Sequence, residues 1–275
     1  MNASLDQLLS KSQWLRQEIF ELVIDKQKGH IPSCYSMNEL VVALYYGGFI
    51  QRPVDLSRRD RVVISKGHAS IGLYPILIEQ GLIDPKERGR FTEAGGQLRM
   101  YADPSIPGIE SVTGSLGHGL GIACGYALAA KMNNLRYNTF AVIGDGECYE
   151  GSIWETLMFA AHQQLNNFCI LVDRNNLCIM DETEKCVRLA PLAEKFRAFG
   201  CEVHEIDGHR YHEILPALKT FADRKSTKPT VILANTIKGK GISFMEGKSN
   251  WHNKMPSAAE IEQARAELKT NPIID

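Results

Sequence analysis

A chain of 275 residues with 44% hydrophobic content is long enough to bury a large core in one sizeable α/β domain. Its formal net charge of −1 provides no field that would draw nucleic acid or an anionic membrane surface, so neither partner is expected. Residues 1–10 lack a basic stretch followed by an apolar run, and no segment reaches bilayer-spanning length, so a soluble cytoplasmic protein is expected.

In chain order, residues 5–28 read as a long amphipathic helix and residues 37–49 as a second, beginning near Ser36 or Asn38. Together they predict a helical N-terminal layer over about residues 1–55. Residues 61–65 read as a strand ending in Gly67-His68, and residues 69–80 as a helix. The segment 84–107, rich in glycine, proline and charge, should be irregular. In the helix expected over 118–132, Gly121, Ala123, Gly125 and Ala127 permit close packing, so deep burial is anticipated. A strand over 139–143, a helix over 150–162 with Ile153, Leu157 and Ala160 on one side, and a buried strand over 168–172 make a βαβ unit. Helices over 191–199 and 211–222 then alternate with strands over 202–206 and 230–235, which predicts a parallel sheet. Residues 258–268 read as an exposed terminal helix, and no repeat or linker marks a second domain within 1–275. Seven cysteines, Cys34, Cys124, Cys148, Cys169, Cys178, Cys186 and Cys201, show no Cys-x-x-Cys spacing and are odd in number, which favours reduced, mostly buried thiols.

The chemistry concentrates in the βαβ unit. Residues 144–146 read Gly-Asp-Gly just after a strand, where Gly144 and Gly146 let backbone approach an anion closely, and a diphosphate would fit. A right-handed crossover returns the second strand parallel to the first, so Asp145 and Asn175 reach one edge of the sheet. Magnesium or calcium takes carboxylate, amide and backbone oxygens and completes its shell with phosphates, which suits that pair. A Gly-Asp-Gly turn alone is common and an Asn-Asn pair is often only a turn; their joint occurrence across one crossover is specific. Gly-Asp-Gly followed about thirty residues later by asparagine matches the thiamine diphosphate motif.

Gly144-Asp145-Gly146-Glu147-Cys148-Tyr149-Glu150-Gly151 and Asp173-Arg174-Asn175-Asn176-Leu177 closely resemble the N-terminal half of transketolase, and the likeness runs through nearly the whole chain. It implies the α/β thiamine diphosphate-binding fold, a mostly parallel sheet with helices on both faces. Thiamine diphosphate and Mg2+ (or Ca2+) are the implied cofactors, with the metal on Asp145, Asn175 and the backbone carbonyl of Leu177. Gly29-His30-Ile31-Pro32, Ser65-Lys66-Gly67-His68-Ala69 and Trp251-His252 resemble three further family segments, so the likeness carries His30, His68 and His252 as catalytic. By it His68 and His252 lie near the cofactor diphosphate and reacting centre, while His30 contacts the donor's hydroxyl or carbonyl oxygen. His162, His204, His209 and His212 match nothing comparable and are expected to be structural. The run from Pro107 to Gly119 also resembles a family segment and implies that Gly114 and Leu116 lie against the thiamine. Gly146, Ile179 and Lys238 are implied cofactor contacts, and Lys254 is an implied substrate contact. Without the match, both lysines would read as ordinary solvated charges. Glu150 and Glu155, counted with the cofactor-binding residues, match family glutamates at the subunit interface.

Two departures bear on substrate. Tyr101 stands where the family has a substrate-contacting histidine, and His118 replaces the customary glutamine beside the thiamine, so an unusual ketose phosphate is kept in view. Full transketolases also carry two further domains, the first of which supplies the glutamate that activates the aminopyrimidine ring; this sequence offers no candidate for it. The resemblance therefore implies the N-terminal subunit of a split enzyme, active only with a separate C-terminal subunit, in a heterotetramer of two plus two. Its implied reaction passes a two-carbon ketol (glycolaldehyde) unit from a ketose phosphate donor to an aldose acceptor through a thiamine diphosphate adduct. A thiamine diphosphate-dependent 2-oxo acid decarboxylase or dehydrogenase subunit shares the metal motif and split architecture, although the Ser-Lys-Gly-His-Ala and Thr-Gly-Ser-Leu-Gly segments favour transketolase. A non-catalytic regulatory homologue is the third reading.

Overall fold

The computed structural model describes residues 3–51, 57–179 and 181–270. Its centre is one sheet of five strands, β1 (Arg61–Ile64), β2 (Thr139–Gly144), β3 (Phe168–Arg174), β4 (Glu202–Asp207) and β5 (Thr230–Asn235), in the order β1-β2-β3-β5-β4. Every neighbouring pair is parallel, as the alternation of strands and helices predicts. Alternate residues feed two separate cores. Ile64, Phe140, Val142, Leu171 and Ile232 face one layer, and Val63, Ile143, Ile170, Val172 and Leu233 the other. With both faces covered, the central strands read as continuous apolar runs rather than alternating ones.

On the first face lie α1 (Leu5–Lys26), α2 (Ile31–Ser36), α3 (Asn38–Tyr46), α4 (Tyr74–Glu79), α9 (Tyr211–Ala222) and α10 (Ala258–Thr270). On the second lie α5 (His118–Met132), α6 (Gly151–His162) and α8 (Leu192–Ala198), while α7 (Thr183–Cys186) is a short exposed turn of helix. Residues 1–2 and 52–55 of the expected N-terminal layer lie outside the described residues.

Several boundaries differ from the sequence reading for local reasons. Ser4 and Gln7 close a capping box at the start of α1, and Gln27 ends it two residues early by turning left-handed at φ 51°. The buried helix α2 escaped the sequence reading because its six residues are too few to show a periodicity; Pro32 in its first turn is the start signal. Residues 69–80 form not one helix but a 3-10 helix, Gly67–Leu73, followed by α4, whose Pro75 again sits in the first turn. Within 84–107 a 3-10 helix, Pro85–Arg90, is capped by Asp84, and buried Phe91, Leu98 and Ile106 pin the remaining turns. The anticipated deep burial of α5 is corrected: Leu120, Ala123, Cys124, Ala127 and Ala130 pack inward, whereas Gly121, Ile122 and Gly125 are exposed, because the sheet covers only one side. The terminal helix is likewise only partly exposed, since Ala264 and Leu268 are buried and the Leu268 carbonyl accepts from Gln13 and Gln17 of α1, each at 2.8 Å. Among the described residues no helix is long and apolar enough to cross a membrane.

Candidate active site

The carboxyl ends of parallel strands open on one edge of the sheet, and four of them supply the site. β1 runs into Ser65-Lys66-Gly67-His68, β2 into Asp145-Gly146, β3 into Asn175, and β5 into Thr236-Ile237-Lys238. A cavity of about 370 Å³ opens there, with Lys66, His68, Asp145, Asn175, Lys238 and His252 in its wall.

Asp145 is buried at 1% exposure, and its two oxygens accept from the backbone N–H groups of Gly146 at 2.8 Å and Asn176 at 2.6 Å. Burial, and then the neighbouring Asp173 carboxylate, push its carboxyl up to about 7. Asn176 presents that N–H from a left-handed backbone, φ 60°, a conformation that asparagine tolerates. Asn175 Oδ1 accepts from Leu177 N at 3.2 Å, so the candidate metal oxygens of Asp145, Asn175 and Leu177 are tied into one turn. Beneath it, Lys66 forms a buried ion pair with Asp173, whose carboxylate also accepts from Ser36 Oγ at 2.5 Å and from Thr236 Oγ1. Burial works to raise the Asp173 carboxyl, but Lys66 and the two hydroxyls outweigh it and hold the group below its ordinary value. Glu147, buried as well, accepts from Ser65 Oγ, Gly117 N at 2.9 Å and Gly144 N at 3.1 Å, joining the ends of β1 and β2 to the start of α5. Burial raises its carboxyl.

Above this end, His30, His68 and His252 form a triangle with ring centroids 5.1–5.3 Å apart. Lys238 Nζ lies 3.1 Å from His252 Nδ1. Burial, then Lys238, lowers His252 to about 3; burial, then Lys66, takes His68 well below the ordinary imidazole value; burial, then Lys238, lowers His30. Lys238 itself is lowered to about 8 by burial and by Lys66. Near neutral pH the triangle is therefore three uncharged imidazoles beside a cation, able to accept and donate protons. His30 Nδ1 is buried with no hydrogen-bond partner among the described residues, a donor or acceptor left for something the cavity would hold.

Leu116, Gly146, Leu177 and Ile179 also line the cavity, and Ile179 remains 66% exposed. His30 meets the site through its rings rather than the cavity wall. Five further expected residues lie outside that wall. Gly114 sits beside the Tyr101 ring, which is 43% exposed; Glu150 and Glu155 are exposed at the start of α6; and Lys254 stacks its Nζ 4.2 Å over the Trp251 ring. Of the histidines read as structural, His209 is buried, with Nδ1 2.8 Å from Glu39 Oε2 and Nε2 accepting from Ile237 N at 2.8 Å. Sequence reasoning missed Ser33, Lys66, Glu147, Tyr149, Cys178 and Cys186 in the wall. Lys66 stood inside the quoted Ser-Lys-Gly-His-Ala segment, but nothing in its spacing announced a partner at Asp173. Among the described residues no cluster of three or more His, Cys, Asp or Glu could hold a metal ion, so a cation here would also need amide and carbonyl oxygens beside Asp145.

A five-stranded parallel sheet covered by helices on both faces, with a Gly-Asp-Gly turn and the oxygens of Asp145 and Asn175 at its carboxyl edge, places the chain among α/β proteins. Residues 12–274 match the family described as transketolase, thiamine diphosphate binding domain, and the chain belongs to that family. It is 37% identical over 272 residues to an apulose-4-phosphate transketolase subunit of Actinobacillus succinogenes, covering 98% of each chain. It is 39% identical over 244 residues to a 6-deoxy-6-sulfo-D-fructose transketolase subunit of Clostridium sp., covering 88% of each. The transketolase structure of Campylobacter jejuni superposes with a TM-score of 0.89 at 29% identity, over all of this chain and 44% of that one. The chain thus spans nearly the full length of the first relatives and under half of the solved transketolase.

Proposed function

We propose that this chain is the cofactor-binding subunit of a two-subunit transketolase. The observation that carries the reading is the cavity at the carboxyl edge, whose wall holds the Asp145–Asn175–Leu177 turn together with His68 and His252, the latter two in ring contact with His30. When bound there, thiamine diphosphate supplies the nucleophilic carbon that carries a two-carbon ketol unit from a ketose phosphate to an aldose. The residues fit the group. Asp145, Asn175 and the Leu177 carbonyl offer a hard-oxygen set for Mg2+ or Ca2+, whose charge would offset the burial that opposes ionisation of Asp145. Lys238 faces the same cavity and can donate to phosphate oxygens, while Leu116, Gly146 and Ile179 offer apolar and close backbone contact.

His68 and His252 would hold and move protons at the donor's reacting oxygens, and His30, with its unpartnered Nδ1, would bind a donor hydroxyl or carbonyl. Gly114 would lie against the thiamine, with Tyr101 beside it and Lys254 as further substrate contacts. A tyrosine at that position favours an unusual ketose phosphate. Exposed Glu150 and Glu155 would face a separately encoded C-terminal subunit, in a cytoplasmic assembly of two plus two. Relatives of matching length that are themselves named as subunits of a transketolase support the split arrangement. We read residues 1–275 as one thiamine diphosphate-binding domain.

Co-purification from the native source identifies the partner. Ketol transfer from a panel of ketose phosphates, with thiamine diphosphate and magnesium added, is expected from the pair and not from the chain alone. Full activity from the isolated chain would overturn the split reading, and release of carbon dioxide from pyruvate would replace ketol transfer by 2-oxo acid decarboxylation.

A further inference from the structure

Five of the seven cysteines are buried in the two cores; Cys178 and Cys186 are not. An antiparallel bridge between Leu177 and Glu182 turns the chain back after β3, and α7 then carries Cys186 to within 3.3 Å, Sγ to Sγ, of Cys178. Both side chains lie in the cavity wall. A covalent S–S bond is ~2.0 Å long, so the pair is within about 1.3 Å of bonding. Both sides share that movement: exposed residues 184–188 leave Cys186 room to approach, but buried Thr183 anchors the start of α7 through the Tyr149 hydroxyl at 2.6 Å and through Asn176 O, which accepts from Thr183 N at 3.0 Å, so Cys178 is drawn across as well.

We propose that Cys178 and Cys186 form a reversible dithiol–disulfide site that controls cofactor binding; the control, though not the disulfide, rests on the thiamine diphosphate reading. The oxidant is a low-molecular-weight disulfide. The exposed Cys186 sulfur attacks one of its sulfurs, forming a mixed disulfide and releasing one thiol that takes up the Cys186 proton. Cys178 then attacks the Cys186 sulfur, the second small thiol leaves with the Cys178 proton, and two protein thiols have been oxidised as one small disulfide is reduced to two thiols. Cys178 follows directly on Leu177, and a Cβ on Gly146 would lie 3.4 Å from Cys178 Cβ. Drawing Cys178 toward α7 therefore pulls on the backbone that carries Asn175 and Leu177 and loosens the oxygen set around Asp145.

The full chain is treated with oxidised glutathione, its remaining thiols are alkylated, and its peptides are mapped by mass spectrometry. A Cys178–Cys186 cross-linked peptide that dithiothreitol removes is expected; two separately glutathionylated or still alkylatable cysteines in folded protein would overturn the proposal. Calorimetric titration with thiamine diphosphate and magnesium is expected to show at least about tenfold weaker binding after oxidation, recovered on reduction. In Cys186→Ser the affinity, whatever its starting value, should be the same before and after oxidant. Equal affinity of the oxidised and reduced wild-type chain would overturn the control. Absence of binding in both states, with the co-purified partner subunit also present, would remove the thiamine diphosphate reading and the control with it, while the peptide map still decides the disulfide.

Discussion

Asp145 holds its place through two backbone donors and, among the described residues, makes no ion pair; its charge is opposed by burial and by Asp173 and only partly favoured by Lys66. A bound cation would supply the missing compensation. Asp145→Ala or Asn175→Ala should therefore raise the Kd for thiamine diphosphate in the presence of magnesium by at least about 100-fold, measured by calorimetry. Unchanged binding in both would remove the metal-diphosphate reading. The Lys66–Asp173 pair answers a different question. Lys66→Met leaves Asp173 buried without its cation and should cost about 3–5 kcal/mol in urea unfolding. Combining it with Asp173→Leu should return a large part of that loss. The imidazole triangle makes stability depend on pH. His30, His68 and His252 all titrate lower in the folded chain than in the unfolded one, so below about pH 6.5 the unfolded state binds protons first. The stability is fully present above that pH and is lost as pH falls, down to about 3 for His252. Unfolding midpoints between about pH 7 and pH 4 should fall with pH, less steeply in His252→Gln than in the wild type. At this scale the sequence disclosed identities well, because residue types in short motifs carry chemistry. It did not disclose states: the low titration of the histidines comes from burial and from Lys66 and Lys238, which the chain brings in from elsewhere.

At the scale of elements, two glycines and one buried carboxylate set how the strand ends meet. A Cβ on Gly67 would lie 2.1 Å from the Thr113 carbonyl oxygen, a backbone atom that cannot step aside. Gly67→Ala should therefore push the end of β1 away from the 113–117 turn. The expected cost is about 1–3 kcal/mol, with weaker cofactor binding, because His68 and Leu116 ride on the two displaced segments. Gly117, at φ 83°, is similarly confined against Ser152 and Glu150 at the junction of α5 and α6. Glu39 links α1 to the sheet by receiving Arg16 and the His209 ring, while His209 in turn accepts from the Ile237 N–H next to Lys238. The helices and strands were legible because apolar spacing over a dozen residues reports the buried face. The six-residue α2 and the 3-10 segment before α4 were not, since neither lasts long enough to express a period.

Over the whole molecule, one flank of the second helical layer carries exposed apolar side chains, Ile122 on α5 and Met158 and Phe159 on α6, close in sequence to Glu155. If the partner subunit proposed to face Glu150 and Glu155 also covers these side chains, Met158→Glu should abolish co-elution with it. The isolated chain should lose no more than about 0.5 kcal/mol, as for an ordinary surface change. Persistent co-elution would place the partner on another face. The sequence alone determined the parallel α/β architecture and the placing of Asp145 and Asn175 at one edge of the sheet, because periodicity and a right-handed crossover are local consequences of residue order. It also placed α5 wrongly as deeply buried, since small residues permit close packing on every side while only the sheet decides which side receives it. The tertiary structure alone decided that Lys66 neutralises Asp173, that three histidines from distant segments stand within 5.3 Å of one another, and that Cys178 and Cys186 meet at the cavity. These are contacts between separate stretches of chain, fixed by how the strand ends converge, and no spacing within a single stretch encodes them.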